Sequence, residues 1–297
     1  MNPVRANQPT HIKGDGWSTG KGLLEGTVVM ADGNGPTIDI AMDKDLNQRG
    51  WSVSDLRVDH NEPGTAVRIS GGSFGHMSDV MINGYANCQQ AIELIGLMAF
   101  RGVRLKVSNF SEKGLTDELC RGGNHSLTDC HFSTSKGGSV CLHLTMNGWS
   151  VLGGEINCNT GVSILCERTP DHASARFVCL ERVRTELSGP ASRGYVFDSI
   201  HTKPWNGGVV NNPQMVLKAA GIIGCDFQYC DSVNLTNPLN GGYFRAGSYA
   251  WRFGPKSTNC VVVENNIKPV LGEHYLDESA SGSGNCVIYR GQLVYSS

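Results

Sequence analysis

A six-residue pattern recurs eight times along this chain, and it limits the possible folds more than any other feature. It reads apolar, any, any, small or polar, any, apolar. The copies begin at Val53 (VSDLRV), Val80 (VMINGY), Leu105 (LKVSNF), Leu127 (LTDCHF), Val151 (VLGGEI), Leu180 (LERVRT), Ile222 (IIGCDF) and Val262 (VVENNI). The first five intervals are 27, 25, 22, 24 and 29 residues, followed by 42 and 40. A repeat of this length built from short strands is the mark of a solenoid, in which any site must be read across neighbouring repeats.

The two apolar columns lie five residues apart. In one straight strand they would face opposite sides, because side chains alternate with period 2. The chain must therefore turn between them, and the motif reads in, out, out, in, out, in. The column three residues after the start, Leu56, Asn83, Ser108, Cys130, Gly154, Val183, Cys225 and Asn265, is mostly small or amide. Such residues suit a tight corner. A second apolar strand follows most corners, as in TAVRISG at 65–71 and VCLHLTM at 140–146. The expected fold is all-β: a right-handed, single-stranded parallel β-helix of eight or more coils. At about 4.8 Å per coil its body is roughly 40 Å long. Two rival readings are an antiparallel sandwich and a mixed α/β fold, the latter because Cys88–Phe100 has helical propensity.

The chain has 297 residues and a formal charge of −2, which leaves no electrostatic footprint for nucleic acid. No apolar run of about 18 residues marks a membrane span, and the start, MNPVRANQPTHIKG, lacks the apolar core of a secretion signal. The 11 cysteines include no CxxC pair. They read as buried thiols acting as small hydrophobes, in a chain that folds in a reducing cytosol. No metal-ligand or cofactor spacing is present.

Residues 1–50 read as an N-terminal coil (12–29) with an irregular link (31–50), and 51–297 as the β-helix proper. The two wide intervals read as long loops at about 187–219 and 230–258. Their aromatic and basic residues, including Trp205, Tyr243, Arg245 and Trp251, are candidates for stacking on and holding sugar rings.

The opening IKGDGWSTG, the coils VRLKVSNF and VVVENNI, and a first coil that no obvious capping helix precedes resemble the right-handed parallel β-helix of bacteriophage tailspikes. Pectate-lyase-like and polygalacturonase-like proteins are the wider relatives. The resemblance covers roughly residues 12–290. It implies a homotrimeric virion spike attached to a phage tail or baseplate. Such a spike folds in the host cytoplasm and acts outside the cell. Its partner is a bacterial capsule, O-antigen or exopolysaccharide, which it binds and often cuts. The paired Asp motifs of secreted pectinases (NTD, DD) are absent, which favours a phage protein.

Glycoside hydrolysis needs two carboxyl groups facing one linkage. Asp129 and Glu155 fall on consecutive coils, two columns apart, and one coil step combined with two strand residues gives roughly 8 Å. That separation suits an inverting pair, with Asp129 as acid and Glu155 as base. His131 and Arg184 flank Glu155 in its column as candidate substrate-binding residues, and Glu181 is a third carboxylate nearby. Gly153 and Gly154 leave a gap beside Glu155. Two alternatives stay open. One is a lyase, with His131 as base and Arg184 and Lys106 neutralising a uronate. The other is a spike that only binds glycan or serves the virion structurally.

Overall fold

The computed structural model describes residues 11–16, 26–30, 33, 35–42, 50–85, 87–118, 123–145, 148–170, 177–241 and 246–297. Among the described residues there is no helix; strand accounts for 61%, in parallel stacked coils that form a β-solenoid of about nine turns. The stretch with helical propensity is a strand, Gln90–Ile95, paired in parallel with Thr65–Ser70 and Lys113–Glu118. Among the described residues the exception to parallel pairing is Gln292–Ser296, which folds back antiparallel on Cys286–Tyr289.

One coil shows how the sequence makes this shape. In Trp51–Asp59 the side chains of Trp51, Val53, Leu56 and Val58 are buried, while Ser52, Ser54, Asp55 and Arg57 are partly exposed. The alternation slips by one residue at Asp55, whose φ of 57° is left-handed. That residue turns the strand so that the residues on both sides of it still face inward. Every described coil from here to residue 237 has a left-handed residue at this corner: Asp55, Asp79, Arg104, Asp129, Gly153, Arg182, Asn212 and Asn237. Asp, Asn and Gly dominate because they tolerate this backbone region best. The bend thus lies two residues after the motif start; the following residue is the first inward one beyond it.

Three stacks of strands result. The first holds a ladder of Ile12, Val53, Met77, Gly102, Leu127, Val151, Leu180, Val210, Leu235, Val262 and Val287. The second, across the corner, includes Val58, Ile82, Val107, Phe132 and Ile156. The third begins with Ile38, Val67, Ile92, Leu115 and Leu142 and continues through Tyr195, Cys225 and Trp251. Like packs on like: Phe197, Phe227 and Phe253 stack at 6.1 and 5.4 Å between ring centroids. Burying each such side chain contributes about 1.5–3 kcal/mol.

The register corrects three motif copies. Val80 pairs with Leu56, and Met77 takes the place opposite Val53. Leu105 is likewise one corner ahead, since Gly102 is the residue in the Leu127 ladder. Ile222 immediately precedes a strand of the third stack, Ile223–Phe227. The error arises because inward apolar residues flank the corner at a spacing of three, so a slip of three residues keeps an apolar pattern.

The two segments read as long loops carry regular coils. Arg193–Ser199, Trp205–Asn211 and Gln214–Leu217 lie in the first; Cys230–Thr236 and Tyr249–Phe253 lie in the second. Between Leu180 and Val262 the ladder passes through Val210 and Leu235 rather than Ile222, so the two wide intervals together span three coil steps instead of two. At the N-terminus, His11–Lys13, Thr27–Met30 and Ile38–Ala41 pair with the coil of 51–70, so a strand lies within the expected irregular link. The described cysteines are free thiols, and most are buried. Burial pushes the Cys88 thiol up to about 12 and the Cys130 thiol to about 11. No helix among the described residues is long and apolar enough to cross a membrane.

Candidate functional site

Just beyond the corner, the outward residues of the second stack form a charged row: Arg57, Met81, Lys106, His131, Glu155, Arg184 and Gln214. His131, Glu155 and Arg184 are direct neighbours on three successive coils, so parallel in-register pairing brings together residues that are 24 and 29 positions apart in sequence.

Glu155 is the hub of this row. Its carboxylate meets Arg184 Nη1 at 3.2 Å and His131 Nδ1 at 3.6 Å, and it accepts a hydrogen bond from Asn157 Nδ2 at 2.8 Å. Arg184 also reaches Glu186 at 3.1 Å, and Glu186 pairs with Lys218. The Asn157 side chain accepts from the Glu186 backbone N–H at 2.8 Å and so ties the two coils. Glu155 remains 29% exposed, so the hub is open to a ligand. Burial lowers the His131 pKa below its ordinary value; Glu155 opposes that shift and Lys106 adds to it.

Asp129 lies on the neighbouring coil, at the corner itself, with φ 51°. Its carboxylate rests over Gly153, where an added Cβ would lie 2.6 Å from Oδ1. The two glycines beside Glu155 have a packing reason. Gly153 and Gly154 have φ of +66° and +84°, and a Cβ on Gly154 would meet the Cys130 carbonyl oxygen at 2.2 Å. Glu181 stands before its own corner, on the first-stack side, and is engaged by Arg182 and by Asn212, each at 3.3 Å.

The aromatic candidates are placed differently from expectation. Trp205 and Trp251 begin or lie within strands, Trp205–Asn211 and Tyr249–Phe253, and are 0% and 1% exposed. Trp251 stacks on Tyr275 at 5.3 Å. Both indoles are core residues and cannot stack on a sugar, because the wide intervals that held them are coils. Tyr243 and Arg245 lie outside the described residues.

A second group of ionisable residues on the third stack escaped the motif columns. Asp226 is fully buried beneath a two-point fork from Arg252 (Nε and Nη2, both 2.9 Å), with Arg193 Nη1 at 3.1 Å and Gln228 Nε2 at 2.6 Å. Nearby, Glu167 and Asp198 are direct in-register neighbours, and Glu167 pairs with His143 Nε2 at 3.0 Å. Burial pushes the Asp198 carboxyl up. The Ser199 N–H opposes that rise, Glu167 and Asp226 add to it, and Arg193 opposes it. Only correct coil assignment of 162–199 in sequence would have revealed this pair.

Comparison with protein-family models, curated proteins and solved structures returns no match.

Proposed function

We propose that this solenoid binds a bacterial surface polysaccharide along its side and cuts it by glycoside hydrolysis, as a homotrimeric phage tail spike. The observation that carries the chemistry is the solvent-accessible Glu155 carboxylate, oriented by Arg184, His131 and Asn157 beside a corner that carries Asp129. In this reading Glu155 activates water and Asp129 protonates the leaving oxygen, with Glu181 on the adjoining coil. Phage, host surface and trimer rest on the resemblance of the coil sequences to tailspikes. The Glu167–Asp198 pair is a second seat for the same reaction, supported by the in-register contact of the two carboxyls and by burial shifting Asp198 upward, the direction in which a general acid is tuned.

One observation favours elimination as a second reading. His131, whose pKa is lowered, is available as an unprotonated base beside Lys106 and Arg184, which would hold a uronate carboxylate.

Capsule or O-antigen preparations incubated with the chain decide between these readings. New reducing ends without unsaturated-uronate absorbance indicate hydrolysis, that absorbance indicates elimination, and binding without shortening removes the catalytic claim. Glu155→Gln is expected to lower kcat by about 10²–10⁴-fold. Full activity in Glu155→Gln with loss in Asp198→Asn would move the site to the third stack.

A further inference from the structure

Where the third stack turns into the first, the described surface carries a groove of about 470 Å³ that none of the charged rows touches. Its walls are apolar: exposed Phe74, Ala99, and the edges of Trp51 and Phe100. The Trp51 indole runs where a side chain of Gly75 would stand, since a Cβ there would lie 2.0 Å from Cζ2. Arg101, His76, Asn124 and Ser126 supply polar atoms. Among the described residues, exposed Arg101 makes no ion pair and no carboxylate lines the groove. Burial lowers the His76 pKa, and Arg101 lowers it further, while Asp79 opposes; at neutral pH His76 is an uncharged hydrogen-bonding group.

The groove runs along the solenoid axis. Gly50, Phe74, Ala99 and Asn124 line it from one position of four successive coils, as fixed by the pairings of the residues that follow them. Phe74 is 59% exposed. Three coil steps of about 4.8 Å give the track a length of roughly 14 Å. An exposed aromatic ring on a straight track, with small residues on either side of it and a guanidinium that is unpaired among the described residues beside it, matches an extended ligand with apolar ring faces and anionic groups.

We infer that this groove binds an acidic oligosaccharide lying along the axis, with Phe74 stacking on a sugar ring and Arg101 pairing with a uronate carboxylate. The inference deepens the glycan reading above, rests on it, and names its substrate class. A guanidinium–carboxylate pair is the strong, geometrically specific kind of hydrogen bond; the ring contact adds apolar burial.

Titration of the full chain with tetragalacturonate and with its carboxyl-reduced tetrasaccharide, followed by calorimetry, tests this. Saturable binding of the acidic form is expected, about tenfold tighter than the reduced form. Arg101→Gln should erase that preference, and Phe74→Ala should weaken both ligands. Both residues are exposed, so unchanged thermal melting separates loss of binding from loss of fold. Absence of binding to either ligand, equal binding of the two, or a preference that survives in Arg101→Gln overturns the inference. The two proposals fail separately. Cleavage of a polysaccharide with a KM unchanged in Arg101→Gln sinks the groove and leaves the activity. Arg101-dependent binding without any cleavage sinks the activity and leaves the groove.

Discussion

Single residues set the coil shape here through backbone geometry more than through chemistry. Asp129 and Gly154 illustrate this, because both stand at a corner and both lie beside the candidate hub. Gly154→Ala places a methyl against a backbone carbonyl at a left-handed position. It should destabilise the chain by at least about 2 kcal/mol, read as a lower urea midpoint at unchanged slope. Asp129→Asn keeps a residue that tolerates the same region, so stability should change by less than about 0.5 kcal/mol, and any loss of cleavage then reports on chemistry. Protonation is also decided residue by residue. His131 has a folded pKa below its ordinary 6.5, so the unfolded chain binds the proton more readily. Its contribution is fully present above pH 6.5 and is lost as pH falls through the folded value. Urea titrations from pH 7.5 to 5 should therefore show a shallower acid-side decline in His131→Gln than in the parent chain.

At the level of strands, in-register parallel stacking turns sequence-distant residues into contacts. The inner face of the third stack is a continuous ladder, and its outer face carries Asp226 between two arginines. Removing the carboxylate in Asp226→Ala leaves Arg252 and Arg193 without their shared partner. A cost of about 3–5 kcal/mol in equilibrium unfolding is expected, and Asp226→Asn should recover part of it. Asp117 plays an interior version of this role: its oxygens accept from the Thr145 N–H and the Trp149 indole N–H, each at 2.6 Å. The strands also explain the limits of the motif. Each coil contains three strands with several inward positions, and a six-residue window samples only one corner. Val53, Leu127, Val151, Leu180 and Val262 share one ladder, whereas Val80 and Leu105 belong beyond the corner and Ile222 precedes a strand of another stack.

For the whole molecule, each coil touches mainly the coils before and after it, so stability is approximately a sum of nearest-neighbour terms. Hydrogen exchange should accordingly be slowest in coils packed between two others, such as Val178–Glu181 and Trp205–Asn211, and faster in Gln292–Ser296, which among the described residues pairs with one strand alone; mass spectrometry of peptic fragments reads this directly. The repeat, the absence of helix and the parallel β-solenoid were legible in the amino-acid order, because alternation and a recurring corner depend on local geometry. So was the meeting of His131, Glu155 and Arg184, since they share one motif column on three correctly aligned coils. The interior place of Trp205 and Trp251, the Glu167–Asp198 pair and the axial groove beside Phe74 were decided only in three dimensions. Their positions depend on which coil stacks on which, and a shift of three residues in that register leaves the apolar pattern unchanged while it moves every outward side chain to a different neighbour.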